Sequence, residues 1–403
     1  MVPYLITFLI SILLCGCAEL AMKHSRAGGI LLLGAAVLPP VFLAGARDFT
    51  VGTDIRAYGN YVFTYARFSS NPITFMWRKS DIEPFYKGLA ALVSRFTDNP
   101  HWFYFATALV ICGCIMGGLY HYRRFCSITL SWACFLFLFY GDTLNTMRQC
   151  LALAVVFWSF PFFLRKKYIL YALFQVVAIL FHTTASIALL FPLLYLFLRR
   201  ASVQWMQFFF IILCMGVIMF YSPVLRTILK TGLLPGKFYR YLAKGVAVAV
   251  NPTILRLPLL VPILLYYDRF CGFQASEAAL VPPPRKDRNP EGADRFPAEE
   301  TMPGMFIVLM LLLEICTVQL RSVMPTLYRI SYYFGSFRFI AYSRLPRILR
   351  KDNRILVAAL LFIYLLVLWV YQNVIQGNNG IYPYQAAPEW WKLCYGLTPP
   401  SLN

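Results

Sequence analysis

VPYLITFLISILLCGCAELAM (residues 2–22) and GGILLLGAAVLPPVFLAGA (residues 28–46) decide the fold class of this chain. Each run is about as long as the roughly 20 residues that a helix needs to cross a bilayer. Similar runs recur along nearly the whole sequence, and of its 403 residues 60% are hydrophobic and only 13% are charged. Because lipid admits only structures that satisfy their own backbone hydrogen bonds, we predict an all-α, polytopic membrane protein that forms one domain over residues 1–403.

The basic residues between the apolar runs predict the topology. They cluster in loops between the runs, which the positive-inside rule places in the cytoplasm. Segment 168–198 then begins and ends on that side, so we predict two short helices that turn near His182, a broken or re-entrant pair. The count becomes about twelve spans: 2–22, 28–46, 101–119, 128–140, 147–164, the pair in 168–198, 205–221, 253–267, 303–320, 325–343 and 355–375.

Three loops are large in this topology. Residues 47–100 and 222–252 are predicted to face the periplasm, and the second carries five basic residues and no acid, which would attract an anionic lipid head or glycan. Residues 268–302 are polar and Pro-rich, and we predict a flexible cytoplasmic loop there. The net charge of +20 does not indicate nucleic-acid binding, because the basic residues punctuate apolar spans and form no soluble basic face.

The stretch RDFTVGTD, from Arg47 to Asp54, follows the second span directly. One interpretation is an Arg47 guanidinium that grips phosphate, with Asp54 orienting a sugar hydroxyl or taking its proton. The alternative is an arginine that extends to the membrane interface and pairs with a nearby aspartate. The spacing of these residues leaves both interpretations open.

Arg148, Gln149 and His182 are the next candidates. An arginine that faces the interior of a helical bundle is costly without an anionic partner, which favours a functional Arg148 over an interfacial one. His182 lies at the turn of the broken pair, where a neutral imidazole can act as a general base. A lone histidine on an apolar helix is more often a satisfied core residue, and that alternative stands for His182.

Two further groups of charged residues have competing interpretations. Arg329 with Tyr333 on the same helical face suits a pyrophosphate head group, whereas Arg338 is expected to extend to the cytoplasmic interface. Asp81 and Glu83 resemble the acidic pair of metal-dependent, lipid-linked glycosyltransferases, but a helix that opens at Pro84 with Asp81 as its N-cap is the favoured interpretation. The four histidines are scattered, and there is no P-loop or G-x-S-x-G motif, so ATP-driven transport and serine hydrolysis lack support.

The sequence resembles the Wzy/EpsG-type bacterial polysaccharide polymerases in several ordered blocks. The resemblance rests on Ala46-Arg47-Asp48 with Val51-Gly52-Thr53-Asp54 and Tyr58, on Glu83-Pro84-Phe85-Tyr86-Lys87-Gly88-Leu89 with Asp98-Asn99-Pro100, on Arg148-Gln149 with Leu151-Ala152, on Phe181-His182 with Ser186, on Arg329 with Tyr332-Tyr333-Phe334 and Pro346, and on Ile381-Tyr382-Pro383-Tyr384. Each motif is short, and their order and spacing carry the signal. Loop 268–302 departs from the pattern.

This resemblance implies a metal-independent membrane glycosyltransferase of the bacterial inner membrane with no cofactor. Such an enzyme joins undecaprenyl-pyrophosphate-linked oligosaccharide repeat units on the periplasmic face into an O-antigen, capsule or exopolysaccharide. Its partners would be that lipid-linked oligosaccharide, the bilayer, a chain-length regulator and a flippase. The alternatives are an O-antigen ligase or another lipid-linked-sugar glycosyltransferase, and a non-enzymatic transporter of lipid-linked oligosaccharide.

The same resemblance assigns roles to the candidate residues. Arg47, Arg148 and Arg329 would hold the pyrophosphate, and either Asp54 or His182 would activate the acceptor hydroxyl. The remaining substrate-binding positions are Tyr58, Glu83, Gln149 and Tyr333.

Overall fold

The structure, a computed structural model, describes residues 1–200, 250–271, 304–319, 327–349 and 351–398. These residues are mainly helical and contain no β-strand, although one isolated bridge joins Arg47 to Ala386. The predicted all-α class is therefore confirmed for the part of the chain that the structure describes.

Residues 1–200 contain eleven α-helices and two turns of other helical types. The α-helices are α1 (Val2–Ala21), α2 (Arg26–Gly45), α3 (Tyr61–Phe68), α4 (Pro72–Trp77), α5 (Pro84–Val93), α6 (Pro100–His121), α7 (Ile128–Leu138), α8 (Tyr140–Asn145), α9 (Met147–Leu164), α10 (Tyr168–Phe181) and α11 (Leu190–Arg200). A π-helix, Ile55–Asn60, leads into α3, and a 3-10 helix, Thr183–Leu189, leads into α11.

Shorter helices make up much of the remaining described residues. They are α12 (Val250–Ile254), α13 (Leu257–Leu265), α14 (Tyr267–Cys271), α15 (Gly304–Val318), α16 (Ser331–Gly335), α17 (Arg338–Ile348) and α18 (Arg354–Trp369). The 3-10 turns are Leu327–Ile330, Lys351–Asn353 and Asn378–Gly380, and a π-helix, Val370–Ile375, extends α18.

Five helices among the described residues are long and apolar enough to cross a bilayer. They are Val2–Ala21, Arg26–Gly45, Pro100–His121, Met147–Leu164 and Arg354–Ile375. Four shorter apolar helices accompany them: Ile128–Leu138, Tyr168–Phe181, Thr183–Leu198 and Gly304–Val318. The protein is therefore a helical membrane protein, and the count of about twelve spans stays a prediction, because predicted span 205–221 lies outside the described residues.

Side chains at the loop ends fix where the spanning helices begin. Ser25 Oγ accepts a hydrogen bond from the Gly28 amide at the start of α2 (3.1 Å), and Asn99 caps α6 directly before Pro100. The Glu19 carboxylate, near the end of α1, accepts hydrogen bonds from the Ile128 and Thr129 amides that open α7. These caps satisfy amide groups that a helix start leaves without partners.

The predicted break near His182 is confirmed. Helix α10 ends at Phe181, His182 is extended (φ −162°, ψ 125°), and the chain continues as the 3-10 helix. Neither half is as long as a full membrane span. The break leaves the His182 side chain at a helix end rather than on a continuous helical face.

The chain divides into two compact units. The first contains Met1–Phe163, Lys167–Ala188 and Ala358–Asn403. Its core is aromatic: Tyr4 and Phe8 lie 5.3 and 6.1 Å from Trp369 between ring centroids. Trp132 Nε1 donates to Ser11 Oγ (2.7 Å), a polar contact between helices of the kind that supports packing in lipid.

The second unit contains Leu164–Lys166 and Leu189–Val357. Its described core is built on Phe191, Phe306 and Phe337, whose ring centroids lie 5.4 to 6.3 Å apart. A buried carboxylate, Glu314, lies in α15 within the same unit.

The C-terminal segment 378–396 is bound along the first predicted periplasmic loop. The Asp48 amide donates to the Gln385 carbonyl and the Ala387 amide to the Ala46 carbonyl, both at 2.8 Å. Further along, both oxygens of Asp98 accept backbone amides, those of Tyr395 (2.5 Å) and Gly396 (3.0 Å). Residues 47–100 are thus held by helices α3 to α5 and by this tail.

The other two predicted loops are mostly outside the described residues. Residues 250–252 of predicted loop 222–252 belong to α12, and its five basic residues lie outside the described part. Residues 268–271 of the predicted flexible loop 268–302 are helical, because they belong to α14. The rest of that loop lies outside the described residues, so its flexibility stays a prediction.

Candidate active site

Glu83 directly precedes the helix that begins at Pro84. The predicted helix start is confirmed, but Asp81 as the N-cap is wrong, since Glu83 holds the cap position with an extended backbone (φ −67°, ψ 149°). Pro84 suits the first position of the helix, because a backbone N–H at that position would have no partner within the helix and proline lacks one. The Glu83 side chain makes no capping hydrogen bond, and its carboxylate is available for other partners.

Those partners are His182 and Arg148. Glu83 Oε1 lies 2.5 Å from His182 Nδ1, and Glu83 Oε2 lies 2.6 Å from Arg148 Nη1. The three side chains are 9%, 20% and 16% exposed, respectively. One carboxylate therefore joins two residues that lie 65 and 99 positions away in sequence. The cluster that they form is partly exposed. We call these three residues the Glu83 cluster.

Electrostatics keep Glu83 ionised. Burial raises the pKa of the Glu83 carboxyl, but the hydrogen bond from His182 and the Arg148 charge outweigh that effect and lower the pKa to about 2. At neutral pH the carboxylate is therefore an acceptor on both oxygens, and His182 Nδ1 must carry the proton between the two groups.

The tautomer of His182 follows from that bond. With Nδ1 protonated toward Glu83, the neutral imidazole has its lone pair on Nε2. None of the described residues forms a hydrogen bond with His182 Nε2. Because the backbone is extended at His182, the ring leaves the end of α10 and reaches the Glu83 carboxylate. A histidine oriented by a carboxylate in this way can act as a general base.

Arg148 is held by three contacts. Besides Glu83, its Nη1 donates to the Asp81 carbonyl (3.2 Å), and its guanidinium lies 4.3 Å from the centroid of the Tyr58 ring. Arg148 is the second residue of α9, directly followed by Gln149, which is buried. The guanidinium is therefore fixed in orientation beside the His182 ring while it stays partly exposed.

Residues 30–386 match the model of the EpsG family. The chain belongs to the EpsG family. This match covers most of the sequence and includes every candidate residue that the resemblance identified, and it indicates a polymerase-type function in polysaccharide synthesis. Comparisons of this EpsG-family protein with curated proteins and with solved structures find no match.

Arg47 of this EpsG-family protein is buried rather than presented at a surface. It is 1% exposed, its Nη1 donates to the Leu144 carbonyl (2.8 Å), and its Nη2 lies 3.2 Å from the Met147 sulfur. Burial lowers the pKa of the Arg47 guanidinium. These contacts place Arg47 under the turn that leads into α9, where it holds the start of the helix that carries Arg148.

Asp54 lies in the same network of loops. Its backbone amide donates to Asn145 Oδ1 (3.0 Å), which also accepts from Thr53 Oγ1 (2.6 Å). Asn145 Nδ2 in turn donates to Asn379 Oδ1 of the C-terminal segment (3.2 Å). The Asp54 side chain is half-buried on this loop.

The C-terminal candidates belong to the second unit. Arg329 lies in the 3-10 turn Leu327–Ile330 and is half-buried, whereas Tyr333 is fully buried in α16. The expectation that Arg338 extends to the cytoplasmic interface is wrong. Arg338 is 8% exposed because its Nε pairs with Glu314 Oε2 at 3.3 Å.

In the described residues, no group of three or more His, Cys, Asp or Glu side chains could hold a metal ion. The Asp81 and Glu83 pair does not converge, since Asp81 is exposed and Glu83 uses both oxygens on His182 and Arg148. What the arrangement offers instead is a proton acceptor and a fixed positive charge.

Sequence reasoning missed the central position of Glu83 and the role of Asn145. Glu83 was assigned to substrate binding, and only its place directly before Pro84 could have shown that its side chain lies at a helix start. Asn145 was visible only as part of the polar stretch GDTLN before α9. Neither signal names the partner residue.

Proposed function

We propose that this EpsG-family protein polymerises undecaprenyl-pyrophosphate-linked oligosaccharide repeat units on the periplasmic face of the bacterial inner membrane. Its product would be a surface polysaccharide such as an O-antigen, capsule or exopolysaccharide. The observation that carries the proposal is the Glu83 cluster, in which one ionised carboxylate orients a histidine and an arginine side by side. About twelve spans and a periplasmic site belong to this proposal.

The bond formed is glycosidic. The acceptor hydroxyl oxygen attacks the anomeric carbon of the growing chain, and the bond from that carbon to the pyrophosphate oxygen breaks. His182 Nε2 takes the hydroxyl proton while the Glu83 carboxylate stabilises the resulting imidazolium. The pyrophosphate leaves with the bonding electron pair, and the proton passes from His182 to solvent or to the departing phosphate.

Arg148 is assigned to the leaving group. Among the described residues, Glu83 and Asp81 engage only Nη1 of Arg148, so the remaining guanidinium N–H groups can donate to a phosphate oxygen as negative charge develops there. Tyr58 stacks on the guanidinium and limits its rotation. The preorganised charge costs no reorganisation during the reaction.

The other arginines receive different roles. Because Arg47 is 1% exposed, we assign it to holding the start of α9 rather than to contacting the pyrophosphate. Arg329 with Tyr333 stays a predicted pyrophosphate site, and Asp54 stays the alternative base. Gln149, buried one residue after Arg148, is assigned to supporting the site.

The test is a polymer-length assay in the native host without its own gene copy. Variants His182→Ala and Arg148→Ala, shown to be inserted in the membrane, should yield single repeat units instead of polymer. The matched controls are His24→Ala and Arg26→Ala, which change the same residue types at exposed positions between the end of α1 and the first turn of α2. Full-length polymer from either site variant would refute the assignment.

A second assay separates polymerisation from transfer to another acceptor. Purified protein receives only undecaprenyl-pyrophosphate-linked repeat units, and a polymerase lengthens them. A ligase would leave them unchanged until a different acceptor is added, and a transporter would form no new glycosidic bond at all.

A further inference from the structure

A row of tyrosines leads away from the Glu83 cluster. Tyr58, whose ring lies under the Arg148 guanidinium, belongs to the π-helix Ile55–Asn60, and Tyr61 and Tyr65 follow at spacings of three and four in α3. Residues at these spacings share one side of a helix. The Tyr61 and Tyr65 rings are in contact, with centroids 4.5 Å apart and planes tilted by 47°.

Tyr61 presents its ring to the outside of the first unit. It is 52% exposed, whereas Tyr86, a tyrosine of the core, is fully buried. The neighbouring Tyr65 raises the pKa of Tyr61, and the charge of nearby Arg78 opposes that shift, so a guanidinium lies within electrostatic range of the pair. The surface thus combines an aromatic face with polar groups at its edge.

The polar edge is held in place and connects to the Glu83 cluster. Lys87 Nζ donates to the Arg78 carbonyl (2.5 Å) and to Ser80 Oγ (3.1 Å), which fixes the segment that runs on to Asp81. The Asp81 carbonyl accepts from Arg148. Residues 78–81 are all exposed and polar, which fits a water-facing surface rather than one covered by acyl chains.

We propose that Tyr61 and Tyr65 form a subsite for pyranose rings beside the Glu83 cluster. The apolar C–H face of a sugar would pack on the Tyr61 ring, while its hydroxyl groups would bond to the tyrosine hydroxyls and to Arg78. The ligand class is the neutral or weakly charged oligosaccharide part of the substrate, and the pyrophosphate stays with Arg148. This inference rests on the proposed function.

A subsite of this kind has a consequence for the reaction. A growing chain that stays bound through its sugars near the reacting end remains available for the next addition. The tyrosine row would therefore set how many additions follow one another before release, whereas the Glu83 cluster sets the rate of each addition.

The test measures glycan binding in a protein that cannot react. Full-length His182→Ala protein in lipid nanodiscs is passed over immobilised polysaccharide purified from the native host, and the equilibrium affinity is recorded. Adding Tyr61→Ala should weaken binding by about tenfold, in line with the loss of one aromatic contact. Tyr61→Trp, which keeps an aromatic face, should retain affinity within about twofold.

Tyr168→Ala is the matched control, because Tyr168 is 55% exposed, belongs to the same unit and lies at the start of α10. It should leave affinity unchanged. Unchanged affinity in Tyr61→Ala, or an equal loss in Tyr168→Ala, would overturn the subsite. The latter result would identify Tyr61 as one of many interfacial tyrosines that contact lipid.

The subsite and the proposed function fail in different ways. In the reactive background, Tyr61→Ala should shorten the polymer while the consumption of repeat units continues, and His182→Ala should stop that consumption. If the wild-type protein makes no polymer from lipid-linked repeat units, the proposed function fails, and the affinity measurement continues to decide the subsite by itself.

Discussion

Two glutamates, one in each compact unit, bind two basic side chains each and differ in what those partners are. Glu83 binds His182 and Arg148, and Glu314 binds Arg256 Nε at 2.7 Å and Arg338 Nε at 3.3 Å. Only the first pairing includes an imidazole, whose ring nitrogens can both accept and donate a proton, since arginine stays charged.

Their surroundings differ in the same direction. The Glu314 side chain is 2% exposed in the middle of α15, and Gly335 packs so closely that an added Cβ would lie 3.0 Å from the carboxylate. Glu83 lies at a helix start, with partners that are 16% and 20% exposed. A buried carboxylate that binds only arginines joins helices, whereas a partly exposed carboxylate that binds a histidine can take part in chemistry.

The largest effect is expected for His182→Ala. Loss of a general base typically costs about 10² to 10⁴ in rate, so repeat-unit consumption by purified protein should fall by that factor. Glu83→Gln should lower the rate as well, because it removes the negative charge that orients and stabilises the imidazole. Glu314→Gln, which keeps the side-chain shape, should leave the rate of the inserted protein near that of the wild type. Loss of rate in Glu314→Gln alone would break the comparison.

Next in size is the effect of Glu314→Ala on stability. Removing one partner of a buried ion pair leaves the other charge uncompensated, at a cost of about 3–5 kcal/mol. Thermal unfolding in detergent should show a large fall in the midpoint. The control is Glu389→Ala, whose pair with Lys392 is 57% and 50% exposed and should contribute less than about 1 kcal/mol. Equal shifts in the two variants would mean that burial does not set the strength of the Glu314 pairing.

A smaller loss is expected for Gly52→Ala, which tests the backbone that supports the Glu83 cluster. Gly52 has φ +96°, and an added Cβ would lie 2.5 Å from the Leu144 carbonyl oxygen that also accepts from Arg47. The strain should cost about 2 kcal/mol and shift the start of α9, so both stability and activity should fall. Gly34→Ala meets nothing within 4 Å and should be neutral in both measurements.

The smallest effect is expected for stability when the pH is lowered. The pKa of Glu83 is lowered from 4.5 to about 2, so its contribution to stability is present above pH 4.5 and is lost progressively as the pH falls toward 2. The thermal midpoint of the wild type should therefore fall by a few degrees more than that of Glu83→Gln across this window. Parallel curves for the two proteins would show that Glu83 is not held ionised by its partners.

Local signals in the sequence predicted much of the fold and several members of the site. The apolar runs gave the spanning helices to within a few residues, and the break at His182 followed from charge placement alone. Arg148, His182 and Glu83 were each named as candidates. The contact between these three side chains was not predicted, because tertiary packing brings the carboxylate to partners that are 65 and 99 residues away in sequence.

The errors have physical reasons as well. Arg338 was expected at an interface because the pattern does not show that Glu314, in the apolar run LMLLLEICTV, supplies its counter-charge. Arg47 was expected at a surface, but its Nη1 and Nη2 bind a carbonyl and a thioether under the turn before α9. Single charges in apolar sequence reveal that a partner is needed and leave its identity open.

The attachment of segment 378–396 to the loop after α2 affects the order of biosynthesis. Tyr4 Oη donates to the Ile381 carbonyl, a contact that closes across 377 positions, and the tail also ties down residues 46–52 and 97–99. A nascent chain leaving the ribosome inserts its first spans long before that tail exists. The loop that supports Arg148 is therefore held by only part of its contacts until α18 has entered the bilayer. Assembly of the site is then one of the last events in the maturation of the protein.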